Sequence, residues 1–327
     1  ERMELTSDHY RERILQHPPP SSNPMSQHSP ESGAAIPKWE RHSTAAASRV
    51  PLLSKIAYGA GGMADFLNTQ IPTGLAMPVY ARYFGLDTGL LGIANAIPRV
   101  IAVLSASLIG GISDNTRTRW GRRKPYILAG AVLCAVLLPW MWCAPAGATP
   151  VGLFLFFGGL MAIYSIFDSL LSVPHQAMGL ELSTDYDERT RVQAWKGYVS
   201  GIGFLMAPWF YWFCTRDIFP NIVRGAMVLS IIIGVVIILG AGMTVLFCRE
   251  QTVAMQQEKI PILPALKLTL KNYPFLLLQG ATVFLSFSIS CGSTVGFYLN
   301  IDYVCGGDEK FGALLGGVAG TVATLMT

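Results

Sequence analysis

The sequence predicts an all-α, polytopic membrane protein, and three observations carry that prediction. Apolar residues make up 51% of the 327 positions and charged residues only 13%, with a mean hydropathy of +0.42. A soluble domain carries about twice that charged fraction. The apolar residues are gathered into runs that reach the roughly 20 residues needed to cross a bilayer core. The cations collect in the gaps between those runs, as membrane topology requires. A net charge of +4 gives no reason to expect a nucleic-acid partner. The six cysteines fall mostly in or at the ends of apolar runs, with no Cys-x-x-Cys pair, so neither a metal site nor a disulfide framework is expected.

Residues 1–50 are rich in Pro, Ser and His, as in HPPPSSNPMSQHSPESG, and lack hydrophobic periodicity. Such a segment buries too little surface to offset its ordering entropy and reads as a disordered tail. It has no apolar h-region, so no cleavable signal peptide is predicted. Eight apolar segments follow, at about 56–81, 88–112, 126–144, 151–174 (extending to about 180), 194–214, 223–247, 274–300 and 311 to the end. The short connections at 84–88 and 144–150 predict antiparallel neighbours. The longer stretch 249–272, charged by Arg249, Glu250, Glu258, Lys259, Lys267 and Lys271, divides a six-helix bundle (51–248) from a partial second bundle (273–327). Lys and Arg crowd the loops after the second, fourth and sixth segments, which places those loops and the N-terminus on the cytoplasmic side.

The most informative loop is GGISDNTRTRWGRRKP, residues 110–125. It runs from Gly110 through Asp114 to Arg117, Arg119, Gly121, Arg122, Arg123 and Lys124. This order resembles the loop between helices two and three of the major facilitator superfamily. The wording DNTRTRWGRRKPYIL is similar to the glycoside–pentoside–hexuronide:cation symporter family, and a related turn occurs in sucrose–proton symporters. YGAGGMADF (58–66), SVPHQAMGLELSTDYDERTR (172–191) and KNYPF (271–275) agree with the same family. The resemblance covers about residues 52–327. It implies a fold of twelve helices in two halves, about eight of them present here, and therefore a C-terminally truncated chain. It also implies alternating access, a sugar or glycoside as substrate, and a coupling cation. No cofactor, metal or enzymatic reaction is implied.

Ionisable residues at membrane depth are functional candidates by default, because burying them is costly. Asp65, Arg99, Asp168 and Lys196 meet that criterion, and Arg99 is expected to pair with Asp65 or Asp168. Aromatic rings stack on the apolar faces of pyranoses, which adds Tyr164, Trp195 and Tyr198 as sugar-binding candidates. His175, near the end of the fourth segment, is expected to be solvated. The resemblance assigns gating to Gly110, whose missing side chain permits close helix approach, and to Asp114, which caps a helix end and pairs with a cation. Arg117, Arg119, Gly121, Arg122, Arg123 and Lys124 belong to the same gate. Glu181, Arg189 and Arg191 are the expected partners of the Asp114 loop.

The chain departs from the family at its cation site. The family places two Asp residues three and seven positions after an Arg on helix two. Counted from Arg99, those positions are Ala102 and Ala106, and the family's third Asp is Ser172. Alanine offers a sodium ion no hard oxygen ligand. Asp168, one turn before Ser172, can accept a proton instead, as can Asp65. The expected activity is proton-coupled or uncoupled sugar transport in a plasma (inner) membrane. The alternatives are a non-transporting receptor or regulator on the same fold, or an inactive truncated product.

Overall fold

The computed structural model describes residues 49–248 and 273–326, apart from 117, 146 and 184. The expected tail, the 249–272 loop and Arg117 lie outside the described residues. Eight helical rods appear among them, one for each apolar run. They are α1 (Leu52–Ala76), α2 (Thr88–Asn115), α3 (Lys124–Trp140), α4 (Pro150–Glu181), α5 (Tyr186–Met206), α6 (Ile222–Phe247), α7 (Tyr273–Tyr298) and α8 (Glu309–Met326). Three stretches are by themselves long and apolar enough to cross a membrane: Thr88–Asp114, Pro150–Glu181 and Ile222–Phe247.

Local chemistry sets the ends. Asp87 opens α2 by accepting the Gly89 and Leu90 N–H groups, and Thr149 opens α4 by accepting that of Gly152. Asp185 and Asn221 cap α5 and α6 in the same way. Each cap satisfies backbone donors that the first helical turn leaves orphaned. Pro78 lacks an N–H, and from Met77 to Tyr83 the α1 ladder slips into a π-helical turn. A second π turn, Leu299–Val304, prolongs α7. The turn Ala207–Trp209, built on Pro208, tightens the C-terminal end of α5 before Phe210–Cys214 completes it. The rod of α5 begins eight residues earlier than its apolar run, because its first turns are charged and lie beyond the apolar span.

In the first bundle α1 packs on α5 and α6, α2 on α4, and α3 on α4 and α6. In a bilayer, close packing replaces the hydrophobic drive between helices, and small residues provide it. A Cβ on Gly130 would sit 2.6 Å from the Leu171 backbone nitrogen, and one on Gly240 2.6 Å from the Ala60 carbonyl oxygen. Those two contacts press α3 onto α4 and α6 onto α1. By contrast, Gly158 has ordinary spacing to Ala94 and Gly159 faces open space, so neither makes such a close approach.

A fully buried carboxylate, Glu188, ties the start of α5 to the start of α1. It receives the Val50 N–H at 3.0 Å and the Lys55 ammonium at 2.6 Å, with Arg191 at 3.4 Å. Burial pushes its carboxyl up, but Lys55, the Val50 N–H and Arg191 outweigh that and hold it below the usual carboxylate range. The sign follows: this stabilisation is complete above the ordinary carboxylate pKa and is lost as pH falls through the lowered one. Glu188→Gln is expected to cost about 3 kcal/mol at neutral pH, as breaking a buried ion pair does. It is also expected to flatten the acid-side fall in melting temperature between pH 6 and 3. Parallel melting curves for variant and parent would contradict this.

Candidate functional site

The polar residues of the first bundle converge on the seam between α1 and α4. Tyr58 and Asp65 are seven residues apart on α1, and Asp168 and His175 are seven apart on α4, so each pair shares a helix face. Where the faces meet, Asp65 lies in the field of Asp168 from α4 and of Lys196 from α5, with the Gln176 side chain close by. Asn68, one turn beyond Asp65, is completely buried. Its amide nitrogen donates to Asp168 Oδ1 at 2.7 Å, and its amide oxygen accepts the Tyr164 hydroxyl at 2.5 Å.

Two turns away, toward the N-terminal end of α1, the His175 ring stacks on Tyr58, with centroids 4.6 Å apart and planes 17° from parallel. His175 Nε2 lies 3.1 Å from the Tyr58 carbonyl oxygen, and the Lys196 ammonium sits 5.7 Å from the Tyr58 ring centre. Glycines make this possible. A Cβ on Gly179 would fall 1.9 Å from the Tyr58 hydroxyl, and one on Gly62 would meet the Lys196 stem at 2.8 Å. His175 Nδ1 and Ser200 Oγ are buried with no hydrogen-bond partner among the described residues.

Asp65, Asp168 and Lys196 are therefore brought together as the sequence suggested, but four other expectations change. Arg99 is exposed and makes no ion pair with Asp65 or Asp168. The α2 stripe that faces α4 runs through Leu91, Ala94, Pro98, Ser105, Ile109 and Ser113, and Arg99 falls outside it. Tyr164 is no stacking platform, because it is buried and its hydroxyl is bound to Asn68. Trp195 and Tyr198 form an edge-to-face pair at 6.1 Å. Tyr198 is 73% exposed and lies two residues from Lys196, on the far side of α5. His175 is fully buried rather than solvated. Asn68 and Gln176 were missed. The available signal for Asn68 was an amide three residues after an acid within an apolar run.

Beside the position of the family's cation acids, Ser105 Oγ lies 2.8 Å from Ser169 Oγ, and Ser169 is 3.5 Å from the Ala102 carbonyl oxygen. Neutral oxygens stand there, and no carboxylate.

The residues expected to form the gate make an ion-pair chain. Asp114 accepts Arg123 at 2.8 Å, Arg123 reaches Glu181 at 2.8 Å, and Arg122 reaches the same Glu181 at 2.7 Å. Gly121 turns the loop with φ +117°, a conformation that suits glycine. Lys124 and Pro125 start α3. Arg119 is exposed. Gly110 makes only an ordinary 3.7 Å contact with Val173, so its expected close approach is absent. Arg189 and Arg191 do not join Asp114. Arg189 donates to the Ser183 carbonyl and Arg191 faces Glu188.

At the opposite end, α7 and α8 are held to the first bundle by charge. Arg82 pairs with Glu309 at 2.5 Å and with Asp302 at 2.8 Å, and Lys310 pairs with Asp217. The Trp209 indole N–H donates to Thr321 at 2.9 Å. By contrast, the first turns of α7 are exposed, including Tyr273, Leu277 and Leu278.

Comparison with known proteins agrees with this architecture. A family model described as MFS/sugar transport protein matches residues 42–327. An uncharacterized symporter of Synechocystis sp. is 26% identical over 155 residues, covering 46% of this chain and 28% of that protein. The lactose permease of Lactobacillus helveticus is 34% identical over 140 residues, covering 41% and 21%. The isoprimeverose transporter of Lactiplantibacillus pentosus is 22% identical over 262 residues, covering 77% and 53%. The alignments thus span between about a fifth and half of these relatives' lengths. The crystal structure of a D-xylose-proton symporter superposes with a TM-score of 0.50 at 16% identity, over 83% of this chain and 66% of that one.

The ion-pair chain predicts coupling between its members. Glu181→Gln and Arg123→Gln, measured singly and together by thermal unfolding in detergent, are expected to interact by about 0.5–3 kcal/mol. Additive losses would show that the chain contributes nothing as a unit.

Proposed function

We propose, from the premise that this chain belongs to the MFS/sugar transport protein family, that it carries a sugar or glycoside across the membrane by alternating access, coupled to protons or uncoupled rather than driven by sodium. The observation that carries this reading is the convergence of Asp65, Asp168, Lys196 and Asn68 on one seam between apolar helices. A carboxylate pair with an ammonium and amides can both accept from and donate to vicinal sugar hydroxyls. Relatives named lactose permease and isoprimeverose transporter support a sugar as the cargo.

Charge balance favours the proton. With Arg99 exposed, the described residues set one cation, Lys196, beside Asp65, which in turn faces Asp168, so with both carboxylates ionised the cluster has one negative charge in excess at membrane depth. A proton on Asp65 or Asp168 removes it. The alanines at 102 and 106 and the serine pair beside them supply no carboxylate for sodium. The N-terminus is assigned to the cytoplasm from the cation-rich loops. In that orientation the Arg82 pairs close the outer side while α7 diverges from the first bundle toward the cytoplasm, as an inward-facing state requires.

The test is uptake of a labelled glycoside panel by the full chain in proteoliposomes. An inward proton gradient, or counterflow alone, is expected to drive uptake. Asp65→Asn is expected to lower it at least 100-fold, on the order of the loss when a buried charge interaction with substrate is removed. Strong sodium stimulation without proton dependence would overturn the coupling assignment. No uptake of any glycoside would overturn the substrate class.

A further inference from the structure

A second cavity, of about 200 Å³, lies outward of the Asp65 cluster, between the first bundle and the α7–α8 pair. Its walls include Gln70 and Gly74 of α1, the Pro208–Tyr211 end of α5, Phe297 and Asn300 of α7 and its π turn, and Gly312 of α8. Gln70 and Gly74 are five and nine residues beyond Asp65, which is about 7.5–13.5 Å along the helix axis. The cavity is thus a place of its own, one to three turns toward the outside. The Arg82 pairs stand between it and the outer surface.

Three polar groups on its walls retain hydrogen-bonding capacity. Tyr211 Oη is buried, lies in the field of Glu309 and Arg82, and makes no hydrogen bond of regular geometry. The Gln70 side chain makes no hydrogen bond among the described residues. Asn300 spends its amide N–H on the Gly312 carbonyl at 2.8 Å, but its oxygen receives only the weak Cys305 thiol at 3.7 Å. Beside these, Tyr211 and Phe297 meet edge to face at 5.5 Å, giving an aromatic wall. An aromatic face with amide and phenol groups around it suits a sugar ring, apolar on its faces and hydroxylated at its rim. The volume falls below the roughly 300 Å³ at which pockets for drug-sized ligands begin, so it admits one small ring. No Asp, Glu, Lys, Arg or His lines it. Arg82, whose field reaches the Tyr211 wall, is already paired with Asp302 and Glu309, so a carboxylate placed there would be buried without an available cation, which is costly.

We propose that this cavity is an outer carbohydrate subsite that takes one neutral pyranose ring and rejects a uronate. The proposal rests on the sugar-transport reading above and narrows it: the substrates are neutral glycosides of at least two rings, one ring reaching this cavity while the remainder extends toward Asp65. Because the walls come from both sides of the outer closure, a ring bound here also bridges α1 and α5 to α7 and α8.

The test is calorimetric binding to the purified full chain in lipid nanodiscs. The probes are maltose, cellobiose and melibiose, their aldobiouronic counterparts, and methyl glucoside and methyl galactoside as one-ring controls. Tyr211→Phe and Gln70→Ala remove groups that make no hydrogen bond of regular geometry among the described residues, so both are expected to melt close to the parent. Each is expected to weaken binding of the preferred neutral disaccharide about 10-fold, as loss of one ligand hydrogen bond does. Binding of the one-ring controls is expected to stay unchanged, and each aldobiouronic acid to bind at least 10-fold more weakly than its neutral partner. Unchanged disaccharide affinity in both variants, or equal affinity for uronate and neutral forms, would overturn the subsite while Asp65-dependent binding stands. No binding of any glycoside by the parent chain would overturn the sugar reading itself, and the subsite with it.

Discussion

A single buried amide, Asn68, organises the centre of the first bundle. It spans α1 and α4, giving its N–H to Asp168 and taking the Tyr164 hydroxyl. Unpaired polar groups are expensive away from water, and Asn68 removes two such costs at once by fixing the carboxylate and occupying the phenol. With the helices held by this contact, Asp65 and Asp168 face each other and Lys196 reaches both Asp65 and the Tyr58 ring. The glycines at 62 and 179 serve the same end, leaving room for the Lys196 stem and the Tyr58 hydroxyl. The site is thus a consequence of helix packing, and its chemistry is inseparable from the seam that creates it.

Charge is spent differently at the two ends of the molecule. At one end, Asp114, Arg123, Glu181 and Arg122 link the α2–α3 loop to α4, all within the first bundle. At the other end, Arg82 crosses from the first bundle to Asp302 and Glu309. The first network braces one bundle internally. The second joins the first bundle to α7 and α8, and its ion pairs are partly exposed, so water can replace them at modest cost. Small residues on α8, at 317 and 320, seat it against Trp209 and Pro208.

Much of this was legible in the sequence, for identifiable reasons. Bilayer thickness fixes run length directly, so the rods were visible as apolar segments, whereas the charged first turns of α5 hid its true start. The Asp114 loop was legible because its residue order is demanding, and Glu181 emerged as its partner. Azimuth was not legible. Spacing along α2 places Arg99 at membrane depth but does not say which stripe meets α4, and the stripe that does excludes it. Tyr164 and His175 were misread because a ring's use depends on what its polar atoms meet, and Asn68 and the Tyr58 carbonyl were not visible as partners. The slips to π geometry at Pro78 and after Tyr298, which help shape the outer closure, have only a proline as a sequence sign, and the second has none.

The Asp65–Asp168–Lys196 cluster sets two carboxylates against one ammonium, and in the proton-coupled form of the proposed transport it takes up a proton together with sugar. Proton uptake by the purified full chain in weakly buffered solution, recorded with a pH indicator as a saturating glycoside is added, reads this directly. Uptake of about one proton per sugar bound is expected, abolished when Asp65 and Asp168 are both replaced by Asn and indifferent to sodium. Sugar binding with no proton uptake would contradict proton coupling and leave uncoupled transport, and sugar binding that depends on sodium would contradict both.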